Sequence, residues 1–195
     1  MAVVTGAVAM ESRPERSAPL AVGVMIWLAS ELMFFAGLFA AWFVLRAENQ
    51  PAWPPADVEI DVPRAAIATA VLVLSSVTIH MSVLSAERGH SRQARRLLFV
   101  TLALGTAFII NLVSEYYGLS FGIDSHAYGS IFYLLTGFHG AHVIGGLVAM
   151  GVLAWVLFSR VSRTPKAQTL RVMSFYWHFV DAIWVVLFTV VYLIG

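Results

Sequence analysis

The chain has 195 residues, of which 59% are hydrophobic and 12% charged, with 12 basic and 11 acidic residues and no cysteine. Soluble domains carry roughly twice that share of charge, so the composition excludes a disordered chain, a nucleic-acid binder and an ordinary water-soluble domain. The absence of cysteine removes disulfides, thiolate metal sites, iron–sulfur clusters and haem attached through Cys-x-x-Cys-His.

Residues 1–19 read as a cytoplasmic tail. Met1 to Met10 is apolar but has no basic segment, so it does not read as a signal peptide, and Pro14 and Arg16 precede the first helix. Residues 20–195 read as one transmembrane domain. Its apolar runs are Leu20–Leu45, Ala65–Ala86, Leu97–Ser114, Ser130–Ser159 and Val172–Ile194, each of at least 18 residues. About 20 helical residues cross ~30 Å of hydrocarbon, so the expected fold is all-α with five membrane-spanning helices. A β-barrel would need alternating strands of ~10 residues. Pro51, Pro54 and Pro55 break the first linker, Gly89 the second, Gly118 and Gly122 the third and Pro165 the fourth. Ten of the 12 basic residues fall in the tail (Arg13, Arg16), the second linker (Arg88, Arg92, Arg95, Arg96) and the fourth (Arg160, Arg163, Lys166, Arg171). The positive-inside rule then predicts a multi-pass membrane protein with a cytoplasmic N-terminus and a C-terminus outside.

A carboxylate in mid-bilayer costs roughly 2.5–3.5 kcal/mol on insertion scales, so the polar residues within the runs carry the most information. Glu31 lies near the middle of the first helix, with Arg16 and Arg46, fifteen positions away on either side, as its nearest basic residues. His80 lies in the second helix, Glu115 ends the third, His139 and His142 lie in the fourth, and His178 and Asp181 in the fifth. All seven are expected to point into the bundle, as lipid-binding or structural polar residues. His178 and Asp181, three apart, share a helix face. They read as a proton relay or metal pair, or as a hydrogen-bonded pair that fixes two helices, and the base rate of structural pairs favours the second. His139 and His142 have the same spacing. A metal would need three or more ligands, and the one Glu-x-x-His, Glu87 to His90, sits in a charged linker. Each of the two histidines is therefore expected to donate to a neighbouring helix or to Glu31. A free Glu31 would be protonated, or bound to a histidine or to a lipid head group drawn inward.

Gly137, Ala141, Gly145 and Ala149 form a stripe of small residues at four-residue steps, which reads as a close helix contact. Trp53, Tyr116, Tyr117, Tyr128, Tyr176 and Trp177 fall near the ends of the runs and read as boundary aromatics, with Trp177 and Trp184 as interface anchors.

Several strings resemble a known family. Trp27-Leu-Ala-Ser-Glu31-Leu-Met-Phe-Phe-Ala-Gly-Leu-Phe-Ala resembles the Ser-Glu segment of subunit III of haem–copper oxidases, and Ser114-Glu115-Tyr116 its Glu-Tyr. Tyr128-Gly-Ser-Ile-Phe-Tyr-Leu-Leu-Thr-Gly-Phe-His139-Gly-Ala-His142-Val and Tyr176-Trp177-His178-Phe-Val-Asp181-Ala-Ile-Trp184 are similar to two further motifs of that family, in the same order. The length and the Trp53-Pro54-Pro55 linker look most like the short, five-helix form of actinobacterial cytochrome c oxidases. This chain has Leu112 where the family often has Gln, and Ser125-His126 where Asp-Gly is usual.

The resemblance implies an accessory subunit of an aa3-type oxidase. It implies no cofactor in this chain, with haem a and copper in partner subunits I and II. It also implies packing on subunit I, phospholipid bound in a cleft, and support of proton uptake and sustained turnover. A cytochrome bc-type complex stays open as a supercomplex partner. The family's seven-helix form holds lipid between its first two helices and the other five. The first two have no counterpart here, so the cleft must be formed differently or by a partner. A bo3-type quinol oxidase or a nitric oxide reductase would be alternatives within the family. A stand-alone proton channel or transporter, or a membrane metalloenzyme, would be alternatives outside it.

Overall fold

The computed structural model describes residues 18–158 and 166–194. Arg13, Pro14, Arg16, Arg160, Arg163 and Pro165, with the tail up to residue 17, lie outside the described residues. Five helices follow in order: α1 (Ala18–Glu48), α2 (Val62–Glu87), α3 (Ser91–Tyr116), α4 (Ala127–Phe158) and α5 (Lys166–Phe188), the last continued by a π turn over Thr189–Leu193. All five are long and apolar enough to cross a membrane, and no strand occurs among the described residues.

α3 begins six residues before its apolar run. Arg92, Arg95 and Arg96, expected in a linker, lie on its first two turns. An apolar run measures the hydrocarbon slab, whereas a helix continues into the head-group zone, where long basic side chains reach water. The α2–α3 linker shrinks to Arg88-Gly89-His90. Gly89 adopts φ 77°, and its N–H donates to Ala86 O while that of His90 donates to Ser85 O. This is a Schellman end to α2, which glycine permits at no steric cost. At the other end of α2, the Asp61 carboxylate caps the helix by accepting from Arg64 N at 3.0 Å.

α2 packs against α3 and α5, and α4 also packs against α3 and α5, so these four helices close into a ring. α1 lies outside the ring, mainly on α4 and α5. Burial follows this plan: 6% of the most apolar stretch of α1 is buried, against 56% for α5.

Hydroxyls and indoles hold the ring together. Thr78 and Thr101 bond across α2 and α3 at 2.8 Å, and Ser82 donates to Ala94 O at 2.8 Å. Trp177 donates to Ser75 Oγ at 2.8 Å and Trp184 to Thr69 Oγ1 at 2.9 Å, both from α5 to α2. These two tryptophans are 0% and 1% exposed. The expectation that they anchor the chain at the membrane boundary is therefore corrected, because their rings meet protein on all sides and reach no head group. Of the other boundary aromatics, Trp53, Tyr128 and Tyr176 are also buried, whereas Tyr117 is exposed.

The close approaches fall beside the expected stripe of small residues. A Cβ on Gly146 would lie 2.8 Å from Tyr176 and 2.9 Å from Trp177, and one on Gly105 2.8 Å from Leu147 and 2.9 Å from Trp177. Trp177 thus sits in a slot cut by one glycine of α3 and one of α4. No helix seats itself on Ala141, Gly145 and Ala149, which are exposed.

Candidate functional site

Ala141, Gly145 and Ala149 form the floor of a cleft of ≈ 510 Å³ between α1, α4 and α5. Side chains this small leave the space above them empty. Its walls are Trp27 of α1 and Val172, Met173 and Tyr176 of α5, with His142 of α4 at one end. Trp27 and Tyr176 stack, with ring centroids 5.4 Å apart and planes within 8°. Tyr176 also donates to His142 O at 2.8 Å, fixing α5 to α4 beside the cleft.

Glu31 and His142 meet here, with Oε2 and Nε2 3.1 Å apart. Of the partners foreseen for Glu31, the structure selects a histidine. His142 Nδ1 lies 2.7 Å from Phe138 O. A carbonyl can only accept, so Nδ1 carries a proton. The Nε2···Glu31 contact then shares one further proton, giving either imidazolium with carboxylate or imidazole with carboxylic acid. Both arrangements are neutral overall, which is what a pair at bilayer depth requires. Ring contact with Phe35 at 5.1 Å fixes the imidazole further.

His139 differs from the expectation. It is fully buried, and neither ring nitrogen has a hydrogen-bond partner among the described residues. Three residues turn an α-helix through about 300°, so His142 looks toward α1 while His139 looks into the ring. There it packs on Trp184 at 4.8 Å and edge-on to Phe108 at 5.9 Å.

His178 and Asp181 are joined through Ser76 of α2, a residue not singled out from the sequence. Ser76 donates to Asp181 Oδ2, and its Oγ lies 3.0 Å from His178 Nδ1. Its one proton goes to the carboxylate, so its oxygen accepts from His178 Nδ1, and Ser174 donates to Nε2 at 3.0 Å. The arrangement ties α5 to α2. A serine in an apolar run, four residues before His80, was the available signal.

His80 is exposed, contrary to the expectation that it points inward. The buried stripe of α2 runs through Leu72, Ser75, Ile79, Ser82 and Val83, and one further residue turns His80 about 100° away from Ile79. Glu115 is buried, and Tyr192 of the π turn donates to it at 3.0 Å. Arg64 bonds Asn111 Oδ1 at 2.9 Å and Ser114 Oγ nearby. His126, at the departure from Asp-Gly, accepts from Gly129 N at 2.8 Å and caps α4.

Among the described residues no group of three or more His, Asp or Glu could hold a metal ion. The family model described as cytochrome c oxidase subunit III matches residues 6–195. A relative named probable cytochrome c oxidase subunit 3 from Nocardia farcinica is 48% identical over 180 residues, covering 90% of this chain and 88% of the relative. One of the same name from Mycobacterium tuberculosis is 46% identical over 200 residues, covering 99% and 98%. The cytochrome c oxidase subunit 3 of Corynebacterium diphtheriae is 40% identical, covering 93% and 94%. With motifs in matching order, five helices able to cross a membrane and relatives aligned over most of their length, the chain belongs to the cytochrome c oxidase subunit III family.

Proposed function

We propose that the chain is the non-redox accessory subunit of an aa3-type cytochrome c oxidase. In this reading it packs on subunit I, binds phospholipid in the cleft between α1, α4 and α5, and supports proton uptake and sustained turnover. Haem a and copper belong to subunits I and II. The chain lies in the plasma membrane with residues 1–19 in the cytoplasm and the C-terminus outside. Glu31 and His142 steady the lipid, while His80, Glu115, His139, His178 and Asp181 serve helix packing and assembly. The names of the relatives favour the cytochrome c branch over a bo3-type quinol oxidase.

The observation that carries this reading is the cleft, which has apolar walls and the Glu31–His142 pair at one end. Its volume falls in the usual range of small-molecule sites, roughly 300–1,000 Å³. With α1 leaning on the ring, a cleft forms without the two helices that the longer family form adds.

A tagged chain purified from native membranes is expected to bring with it a haem–copper subunit I and the absorption of haem a. Isolation of the chain alone would sink the reading, and haems b and o in their place would move it to the quinol branch. Within that complex, Glu31→Ala leaves the half-buried His142 Nε2 without its partner, at a cost of about 1 kcal/mol, the low end of the range for an unsatisfied group. The expected result is several-fold fewer turnovers before inactivation and less bound phospholipid by mass spectrometry, with an initial oxygen consumption near wild type. Loss of the initial rate in an assembled complex would assign Glu31 a different role.

A further inference from the structure

The polarity of the surface within the spans is uneven. The outward sides of α1, α3 and α4 present Met25, Met33, Phe99, Ile110, Val148 and Val152, as acyl chains require. Ser30 and Thr106 are exposed well inside their helices but return their hydroxyls to their own backbone, at Trp27 O (2.6 Å) and Leu102 O (2.8 Å). His80 breaks this pattern. It is exposed about two turns (~10 Å) before the end of α2. It makes no hydrogen bond among the described residues, and its short side chain cannot reach the head groups as lysine or arginine can. Left against acyl chains, one donor and one acceptor would go unsatisfied.

The polarity also continues inward. The His80 ring lies 6.2 Å from that of His178, which is held by Ser76 and Ser174, and Ser76 in turn holds Asp181. This part of the α2/α5 face is therefore a fixed polar point. Exposed apolar residues lie next to it along the same helices, Val77 and Met81 on α2 and Phe175 one turn from His178 on α5. A polar centre within an apolar rim is how helices associate in a bilayer, where apolar area alone gives no preference for protein over lipid.

We propose that the α2/α5 face centred on His80 and His178 is an intersubunit contact. In the assembled oxidase it is covered by a transmembrane helix of a neighbouring subunit that offers His80 a hydrogen-bonding side chain. The proposal rests on the reading of this chain as one subunit of a larger oxidase, and it adds the face by which the chain docks.

The test uses the whole complex in lipid nanodiscs, with the photo-crosslinking residue p-benzoylphenylalanine placed at Val77 or at Met81. The expected adduct from either position is to another oxidase subunit. Adducts only to lipid, or to a second copy of this chain, would overturn the proposal while leaving the subunit reading intact. A wild-type preparation with no other oxidase subunit would overturn both. In parallel, His80→Leu and His80→Gln are compared for retention of the chain after detergent washing. Leucine suits a lipid-facing position better than histidine, so both variants are expected to insert normally. The leucine variant should be retained roughly threefold less than wild type, matching an average interhelical hydrogen bond, and the glutamine variant close to wild type. Retention of His80→Leu at or above wild type would overturn the proposal.

Discussion

Trp177→Ala is expected to destabilise the helix ring more than any other single side-chain truncation in it, by about 3 kcal/mol. That figure is at the low end of the range for tryptophan truncation in water-soluble cores. In a bilayer the transfer from water largely drops out, since lipid is as apolar as the core. The cavity remains. Gly105 and Gly146 have no side chains to move into the slot, and the rigid backbones of α3 and α4 bound it, so little collapse follows. Ser75 also loses the indole donor that it accepts from at 2.8 Å. Unfolding by denaturing detergent, followed by helical circular dichroism, measures the loss, and a change below about 1 kcal/mol would show that the slot is not the keystone of the ring. The reverse substitution, Gly146→Ala, fills the slot from its wall and is expected to destabilise through the same ring.

Gly129→Ala is expected to loosen the α3–α4 loop while the helices stay formed. A Cβ there would collide with the backbone oxygen of Gly122 and lie 3.3 Å from the ring of Phe121. No rotamer change relieves a backbone clash, so the loop must shift. It is pinned by Ser120 to Asp57 O at 2.6 Å, by Ser130 to Ile123 O at 2.6 Å and by Tyr133 to Phe121 O at 3.1 Å. Overpacking of this kind costs about 1–3 kcal/mol, which corresponds to a rise in local opening of roughly 5-fold to over 100-fold. Hydrogen exchange over residues 119–126 reads it directly, and unchanged protection there would refute the argument. The clash also supplies a physical reason for the glycine of the Tyr-Gly-Ser string. Tyr128 fills a triangle with Trp42 and Trp53 at centroid distances of 5.0–5.2 Å, and Ser130 ties down the loop, so the residue between them has room only for hydrogen.

The five helices were legible because a span must be long and apolar, and similar depth marks both His139 and His142 as candidate partners of Glu31 without choosing between them. Their surroundings were less legible. A membrane helix is apolar toward lipid and toward its neighbours alike, so periodicity does not say which side faces in. Polarity alone therefore places His80 inward, where the fold exposes it, and chain position places Trp177 and Trp184 at the boundary, where the fold buries them. The stripe at Ala141, Gly145 and Ala149 looked like a helix seat, and only the position of α1 shows it to be the floor of a cleft. Ser76 was missed because one serine in an apolar run has no partner until the fold supplies His178 and Asp181.

The placement of α1 outside the ring also bears on the order in which the chain is made. Glu31 is synthesised 111 residues before His142. At the usual pace of roughly 5–20 residues per second, that is a delay on the order of ten seconds. α1 enters the bilayer during that interval with its carboxyl group unpartnered, and neither α4 nor α5 yet exists to receive it. α1 is thus made well before the helices that receive it, and any factor that attends this chain during insertion meets Glu31 without its partner.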